Sequence, residues 1–213
     1  MEFYSGFFSA YTRTSQPISS PLVVHAVAGS GKTSIVREIL HSAPSQVAVT
    51  YGTPDPINLS GHSIGLPKPG ADIVDEYLAA PDLTGAKLVL ADPLQHKREP
   101  LRAHFVSRNT KRFGKETCEL LQSLGVDIVS ELEDTVLFAD AYSVDPEGVI
   151  IALGQDAVQL LEDHHAEFLR PCQVLGSTYD VVTVLTDAPL EEQDFTDRYI
   201  ACSRHRTKLL VLS

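Results

Sequence analysis

The sequence predicts an α/β protein with parallel sheets, and three observations carry that expectation. A glycine-rich loop, AVAGSGKT from Ala26 to Thr33, stands between a short apolar run and a helical stretch. Short apolar runs alternate with helical stretches along the chain, the order that gives a parallel sheet covered on both faces. The alternation comes in two series dividing near residue 105, which in a chain of 213 residues predicts two small lobes of one type, residues 1–105 and 106–213.

Pro21 to Ala28 (PLVVHAVA) reads as a strand, because its apolar run is too short for a buried helix. A helix follows from Lys32 to about His41, with Ile35, Val36, Ile39 and Leu40 on one face and Pro44 as its stop. Gln46 to Gly52 is a second strand, and Thr53 to Gly70 is a long Pro/Gly-rich loop of a length that is usually functional or mobile. Ala71 to Leu78 and Ala86 to Gln95 are apolar runs that turn polar at their ends, as strands do at a sheet edge. A basic segment leads into a helix over Thr110 to Leu124, ended by Gly125. The second series has strands at VDIV (from Val126), TVLFADAY (from Thr135), GVIIAL (from Gly148), YDVVTVLT (from Tyr179) and KLLVLS (from Lys208), with a polar helix over Asp156 to Leu169. The aromatic N-terminus (Phe3, Tyr4, Phe7, Phe8 and Tyr11) reads as an apolar face packed on a lobe, with base stacking as the alternative.

Composition narrows the class. With 43% hydrophobic residues the chain can bury a core. No apolar run is long enough to span a bilayer and the N-terminus lacks a signal-peptide layout, so a soluble intracellular protein is expected. Its three cysteines are far apart and odd in number, which suits reduced thiols; Cys118 and Cys172 read as small buried hydrophobes. His164 and His165 read as exposed on a polar helix rather than as metal ligands.

A net charge of -11 argues against a polyanion partner until its distribution is read. Between Lys97 and Lys115 lie seven of the 17 Lys/Arg residues against the single acid Glu99. From Glu116 to Asp197 there are 19 acids against Arg170 alone, and then Arg198, Arg204, Arg206 and Lys208 crowd the C-terminus. Two basic clusters separated by an acidic body predict the two walls of a groove for nucleic acid.

The loop fits the phosphate-binding pattern G-x-x-x-x-G-K-[ST] at every specified position but the first, where Ala26 stands for glycine. Ala26, Val27, Ala28, Gly29, Ser30, Gly31, Lys32, Thr33 and Ser34 form the expected nucleotide-binding set. Backbone N–H groups and the helix N-terminus there attract phosphate, Lys32 reaches the β- and γ-phosphates, and the Thr33 hydroxyl takes one Mg²⁺ position. Asp75 and Glu76 follow Ile73-Val74 at a strand end, where adjacent acids divide two roles: Asp75 for metal and Glu76 for the attacking water. Gln95, after LADPL, is an amide able to contact both the γ-phosphate and that water.

The ordered series AVAGSGKT, TYGTPD, IVDEY, LVLADPLQ, RPCQVLGSTYDVVTVLTDAPLEE and YIACSRHRTKLLVL resembles the viral superfamily 1 RNA helicases. More closely, it resembles the movement proteins encoded first in the triple gene block of potexviruses and carlaviruses, over about Pro21 to Leu212. The resemblance implies two RecA-like phosphate-loop NTPase lobes of the superfamily 1 helicase type, using ATP or GTP with Mg²⁺. It implies that Arg112, or Arg108 in its place, and Arg204 reach the γ-phosphate, and that Gly176, Ser177 and Thr178 contact single-stranded RNA. Arg98, Arg102 and Arg108 of the basic segment are the further RNA-binding candidates. The role it implies is RNA-stimulated hydrolysis serving cell-to-cell transport of viral RNA through plasmodesmata and suppression of host RNA silencing. The implied setting is host cytoplasm, plasmodesmata or cytoplasmic inclusions, with viral coat protein, other movement proteins, host silencing components and self-association as further partners. Two other readings stand beside it: an RNA-binding scaffold with slow or vestigial hydrolysis, and a phosphate-loop small-molecule kinase.

Overall fold

A computed structural model describes residues 2–56 and 62–213, and the chain divides into two units, Met1–Arg108 and Asn109–Ser213. Residues 57–61 of the expected Thr53–Gly70 loop lie outside the described residues.

In the first unit a short helix α1 (Glu2–Ser5) precedes strands β1 (Thr12–Arg13) and β2 (Leu22–Ala26) and helix α2 (Lys32–Ser42). Strands β3 (Ala48–Thr50), β4 (Ile73–Asp75), β5 (Leu88–Ala91) and β6 (Phe105–Ser107) follow. The sheet order is β1-β6-β2-β5-β4-β3, parallel except where β1 joins its edge antiparallel. One face carries Leu22, Val24, Leu88 and Leu90 against Val36, Ile39 and Leu40 of α2, together with Tyr4 and Phe8. The other carries Val23, Val49, Val74 and Val89 against Tyr77 and Leu78. A strand buried on both faces reads as a continuous apolar run, which is why LVVHA and LVLA stand out in the sequence. Each fully buried Val, Leu, Ile or Phe contributes roughly 1.5–3 kcal/mol, so the N-terminal aromatics anchor the segment before the loop rather than offering a stacking surface. Phe3 is the exception, at 48% exposure.

Strand β6 is absent from the sequence reading, since Phe105 and Val106 are the only apolar pair in a basic stretch. Its parallel pairing with β2 keeps the chain in the first unit through Arg108.

The second unit comprises α3 (Lys115–Ser123), β7 (Thr135–Ala139), β8 (Val149–Leu153), α4 (Gln155–Asp163), β9 (Val181–Thr186), α5 (Phe195–Cys202) and β10 (Lys208–Leu212). Its sheet order is β7-β10-β9-β8, all parallel. Ala157, Val158 and Leu161 of α4 pack on Leu185, Leu210 and Leu212, while Tyr199 and Ile200 of α5 are buried as well.

Four expectations need correction here. Helix α3 begins at Lys115 rather than Thr110, because its first turn is capped from a distance: the Asp134 carboxylate accepts from Glu116 N at 3.1 Å and Thr117 N at 3.4 Å. VDIV is not a strand; Val129 makes only an isolated bridge to Asn109. Helix α4 stops at Asp163 instead of Leu169, with His165 at φ 54, and Leu169 bridges to Ile151. Cys172 is exposed on a 3-10 turn, whereas Cys118 and Cys202 are buried. Helix α5 had no strong apolar period to announce it; Asp194 caps it by accepting from Thr196 N and Asp197 N. Among the described residues no helix is long and apolar enough to cross a membrane.

Candidate active site

Parallel register gathers the chemistry of the first unit at one sheet edge. His25 lies opposite Ala91 and Asp75 opposite Leu90, so β2, β5 and β4 deliver their carboxyl ends side by side. Neighbouring strands lie about 4.8 Å apart, which spaces β2 and β4 by roughly 10 Å across β5. This is the edge at which open α/β sheets bind ligands.

The loop leaves β2 and reaches α2 through Gly29 at φ 73 and Gly31 at φ 91, a left-handed path that glycine takes without Cβ strain. Ala26 is still in β2 and not at positive φ, which is why alanine serves there in place of the pattern's first glycine. Lys32 is 7% exposed, and its Nζ donates to the carbonyls of Ala26 at 2.9 Å and Val27 at 3.4 Å. The ammonium is thus folded over the loop. Burial, with the nearby Lys32 charge second, pushes the His25 imidazole down to about 4.

Thr33 and Thr50 each bring Oγ1 to 3.4 Å from Oδ2 of Asp75. Oδ1 of Asp75 is buried and has no hydrogen-bond partner among the described residues. Burial foremost, and the adjacent Glu76 charge second, hold this carboxyl well above the ordinary carboxylate range. A buried acid with an unused oxygen beside a hydroxyl is the hard-oxygen donor set that Mg²⁺ takes. The residues present therefore fit the ion.

Glu76 turns out of β4 in the left-handed region, at φ 53 and ψ 45. For a residue with a side chain that conformation costs about 1–2 kcal/mol, and such strain persists where surrounding structure fixes it at a site of use. Its Oε2 lies 3.4 Å from Nε2 of His96. Gln95 is buried on the turn after β5, and its Nε2 donates to Oδ2 of Asp92 at 2.7 Å. Asp92 is fully buried, with Oδ1 accepting from Leu94 N at 3.1 Å. Sequence reasoning missed Asp92, His96 and Thr50. The Asp-Pro pair marked a turn, but nothing in it announced that its carboxylate would hold a glutamine amide.

Arg108 leaves the carboxyl end of β6 at the same edge, where Ser107 O accepts from Val27 N at 3.1 Å, and its side chain is exposed. Arg98 is exposed and donates through Nη1 to Ala80 O, and Arg102 is exposed. Ser34 is exposed on α2.

In the second unit the remaining candidates meet at the amino end of the sheet. Arg112 Nη1 donates to Ser203 O at 3.0 Å. Arg204, 1% exposed, donates through Nε to Ile200 O at 3.1 Å and through Nη2 to Ser203 Oγ at 3.0 Å, and its carbonyl accepts from Tyr179 N at 2.8 Å. Gly176 (φ 79), Ser177 and Thr178 immediately precede that tyrosine; the glycine is exposed and the other two half-buried.

The chain matches the viral superfamily 1 RNA helicase core domain over residues 22–213. It is 51% identical to the movement and silencing protein TGBp1 of Lily virus X, over 100% of both chains. It is 40% identical to the protein of the same name from Apple stem pitting virus, over 95% of this chain and 94% of that one. Among solved structures it is similar to arterivirus nonstructural protein 10 (helicase) in complex with DNA, with a TM-score of 0.65 at 18% identity over 91% of this chain and 61% of that one. A crystal structure of the same arterivirus helicase gives 0.57 at 17% identity, over 100% of this chain and 56% of that one. The chain thus spans less than two thirds of those helicases, and the likeness speaks for the fold alone. With its α/β units and parallel sheets, the chain belongs to the viral superfamily 1 RNA helicase core family and, within it, to the movement and silencing proteins named TGBp1.

Proposed function

We propose that this chain is a Mg²⁺-dependent nucleoside triphosphatase, stimulated by single-stranded RNA, that acts as a viral movement and silencing protein. The observation that carries the reading is the pairing of Thr33 with Asp75 at 3.4 Å, beside a carboxylate oxygen without a partner and a lysine folded over the loop.

In this reading Lys32 exchanges its carbonyl partners for β- and γ-phosphate oxygens of ATP or GTP, with the loop from Ala26 to Ser34 around them. Thr33 and Asp75 hold Mg²⁺, which when bound neutralises phosphate charge. Glu76 accepts the proton of the attacking water at its carboxylate, and Gln95, oriented by Asp92, positions that water. Arg112 and Arg204 are the cations assigned to the transferred phosphoryl group, with Arg108 as the alternative to Arg112. Their assembly around Ser203 supports a shared role. Arg98, Arg102 and Arg108, with Gly176 to Thr178, are assigned to the RNA backbone. Through its family the chain is assigned to cell-to-cell movement of viral RNA, to suppression of silencing, and to the host cytoplasm and plasmodesmata.

Steady-state phosphate release, with and without single-stranded RNA, tests this. Mg²⁺-dependent turnover that rises with RNA and is lost in Glu76→Gln is expected. Turnover indifferent to RNA, with RNA binding intact, would favour the scaffold reading.

A further inference from the structure

The second unit has a cavity of about 860 Å³ that none of the assigned roles uses. It lies at the carboxyl end of the β7-β10-β9-β8 sheet, because its walls include Thr186, the last residue of β9, Ala188 beyond it and Ser213 after β10. Gly176 to Thr178 precede the amino end of β9, so they and the cavity stand at opposite ends of a six-residue strand, about 20 Å apart.

Its lining combines apolar side chains with exposed acids. Leu120 and Leu124 of α3, Leu160 of α4, Leu190 and Val211 supply the apolar wall. Phe138 and Tyr142 also line it, and they are 63% and 86% exposed. Large apolar side chains left open to water around a concavity mark a surface built to be covered. Asp156, Asp163, Asp187 and Glu191 are the charged residues of the lining and all four are exposed; Arg198, itself outside the lining, donates to the carbonyls of Leu124, Leu190 and Glu191. Four carboxylates around an apolar wall repel a polyanion and attract cations.

We propose that this cavity is a docking site for a basic amphipathic segment of a partner protein, whose apolar side chains meet the apolar lining and whose lysines or arginines pair with its exposed acids. Apolar anchors give such a contact its affinity, and the charges give it orientation and exclude nucleic acid. The inference does not rest on the nucleotide or RNA reading, since every residue it uses lies in the second unit away from Arg112, Arg204 and Gly176 to Thr178.

The test uses the full chain and two fluorescein-labelled peptides, one of leucine and lysine in helical amphipathic order and one with glutamate replacing lysine, followed by anisotropy. Saturable binding of one basic peptide per chain is expected, with none of the acidic peptide. Phe138→Lys and Asp163→Lys change exposed residues and should each weaken binding tenfold or more. Glu131→Lys, an exposed acid outside the cavity, should change it less than twofold. Excess poly(U) should leave the peptide bound. Equal weakening by all three substitutions would mean a general attraction to an acidic protein. That result, unchanged binding in the two cavity variants, or displacement by poly(U) would each overturn the proposal.

Discussion

Lys32 and Gln95 show two kinds of residue-scale inference. The lysine is fixed by its place after Gly29 and Gly31, and its proposed role comes from the pattern, which prescribes the atom that meets phosphate. Lys32→Ala should lower hydrolysis roughly 100-fold or more, the usual loss when a preorganised donor to a transferring group is removed. The fold should survive with a loss of about 1–3 kcal/mol, because two buried carbonyls lose their donor. Phosphate release and a urea midpoint measure the two effects, and near-wild-type turnover would remove the loop from the mechanism. Gln95 was legible only as an amide in a suggestive place. What orients it, Asp92, depends on the turn after β5, which no local pattern encodes. Asp92→Ala should therefore reduce turnover about tenfold or more while nucleotide affinity holds, because orientation rather than binding is lost. Parallel loss of affinity in equilibrium nucleotide titrations would make Asp92 a structural residue only.

At the scale of elements, the strands of the sheet interiors were read well because burial on both faces leaves an unbroken apolar run. Helix α2 begins at Lys32 as expected, whereas the strand boundaries and the start of α3 were not read, since long-range partners set them. Helix α3 is the clear case. Its first turn is capped by Asp134, 18 residues from Glu116, and the approach is so close that a Cβ on Gly114 would sit 2.4 Å from Asp134 N. Gly114→Ala should destabilise the protein by about 1–3 kcal/mol, the usual range for forced overpacking, and a lower urea midpoint would register it. Asp134 also sets an acid limit. Burial raises its carboxyl pKa, but hydrogen bonds from His205, Thr117 and the backbone outweigh that and hold it below the ordinary value. A depressed carboxyl stabilises the fold above its unfolded pKa of 3.8, and the contribution disappears as pH falls through the lower folded value. Asp134→Asn should consequently lose less stability than wild type between pH 5 and pH 2, measured by urea melts. An identical acid profile would place the acid sensitivity elsewhere.

For the whole molecule the question is how a chain of net charge -11 would hold RNA in the proposed role. The two basic clusters differ in what the structure does with them. Arg198 donates to the carbonyls of Leu190, Glu191 and Leu124, Arg206 pairs with Asp180 at 3.2 Å, and Lys208 pairs with Glu147 at 2.7 Å. Counting charges along the sequence made Arg206 and Lys208 look available because the acids that pair with them, Asp180 and Glu147, lie far away in the chain, as Glu133 does from its partner Lys115 in the other cluster. Arg98, Arg102 and Arg108 are exposed on the first unit, so they are expected to carry most of the phosphate contact. Each phosphate neutralised on a single strand contributes about -0.7 to the slope of log affinity against log salt. Replacing all three by alanine should flatten that slope by roughly one to two units, while Arg206→Ala, whose charge already meets Asp180, should change it by about half a unit or less. RNA-independent hydrolysis should stay within a few-fold in a variant that keeps Arg108 and replaces only Arg98 and Arg102, because Arg108 alone of the three is also a candidate for the nucleotide. Filter binding of a labelled oligouridylate at several salt concentrations gives both slopes. If Arg206→Ala flattens the slope as much as the triple replacement does, the surface ion pairs yield to RNA, and the C-terminal cluster must be restored as part of the binding surface.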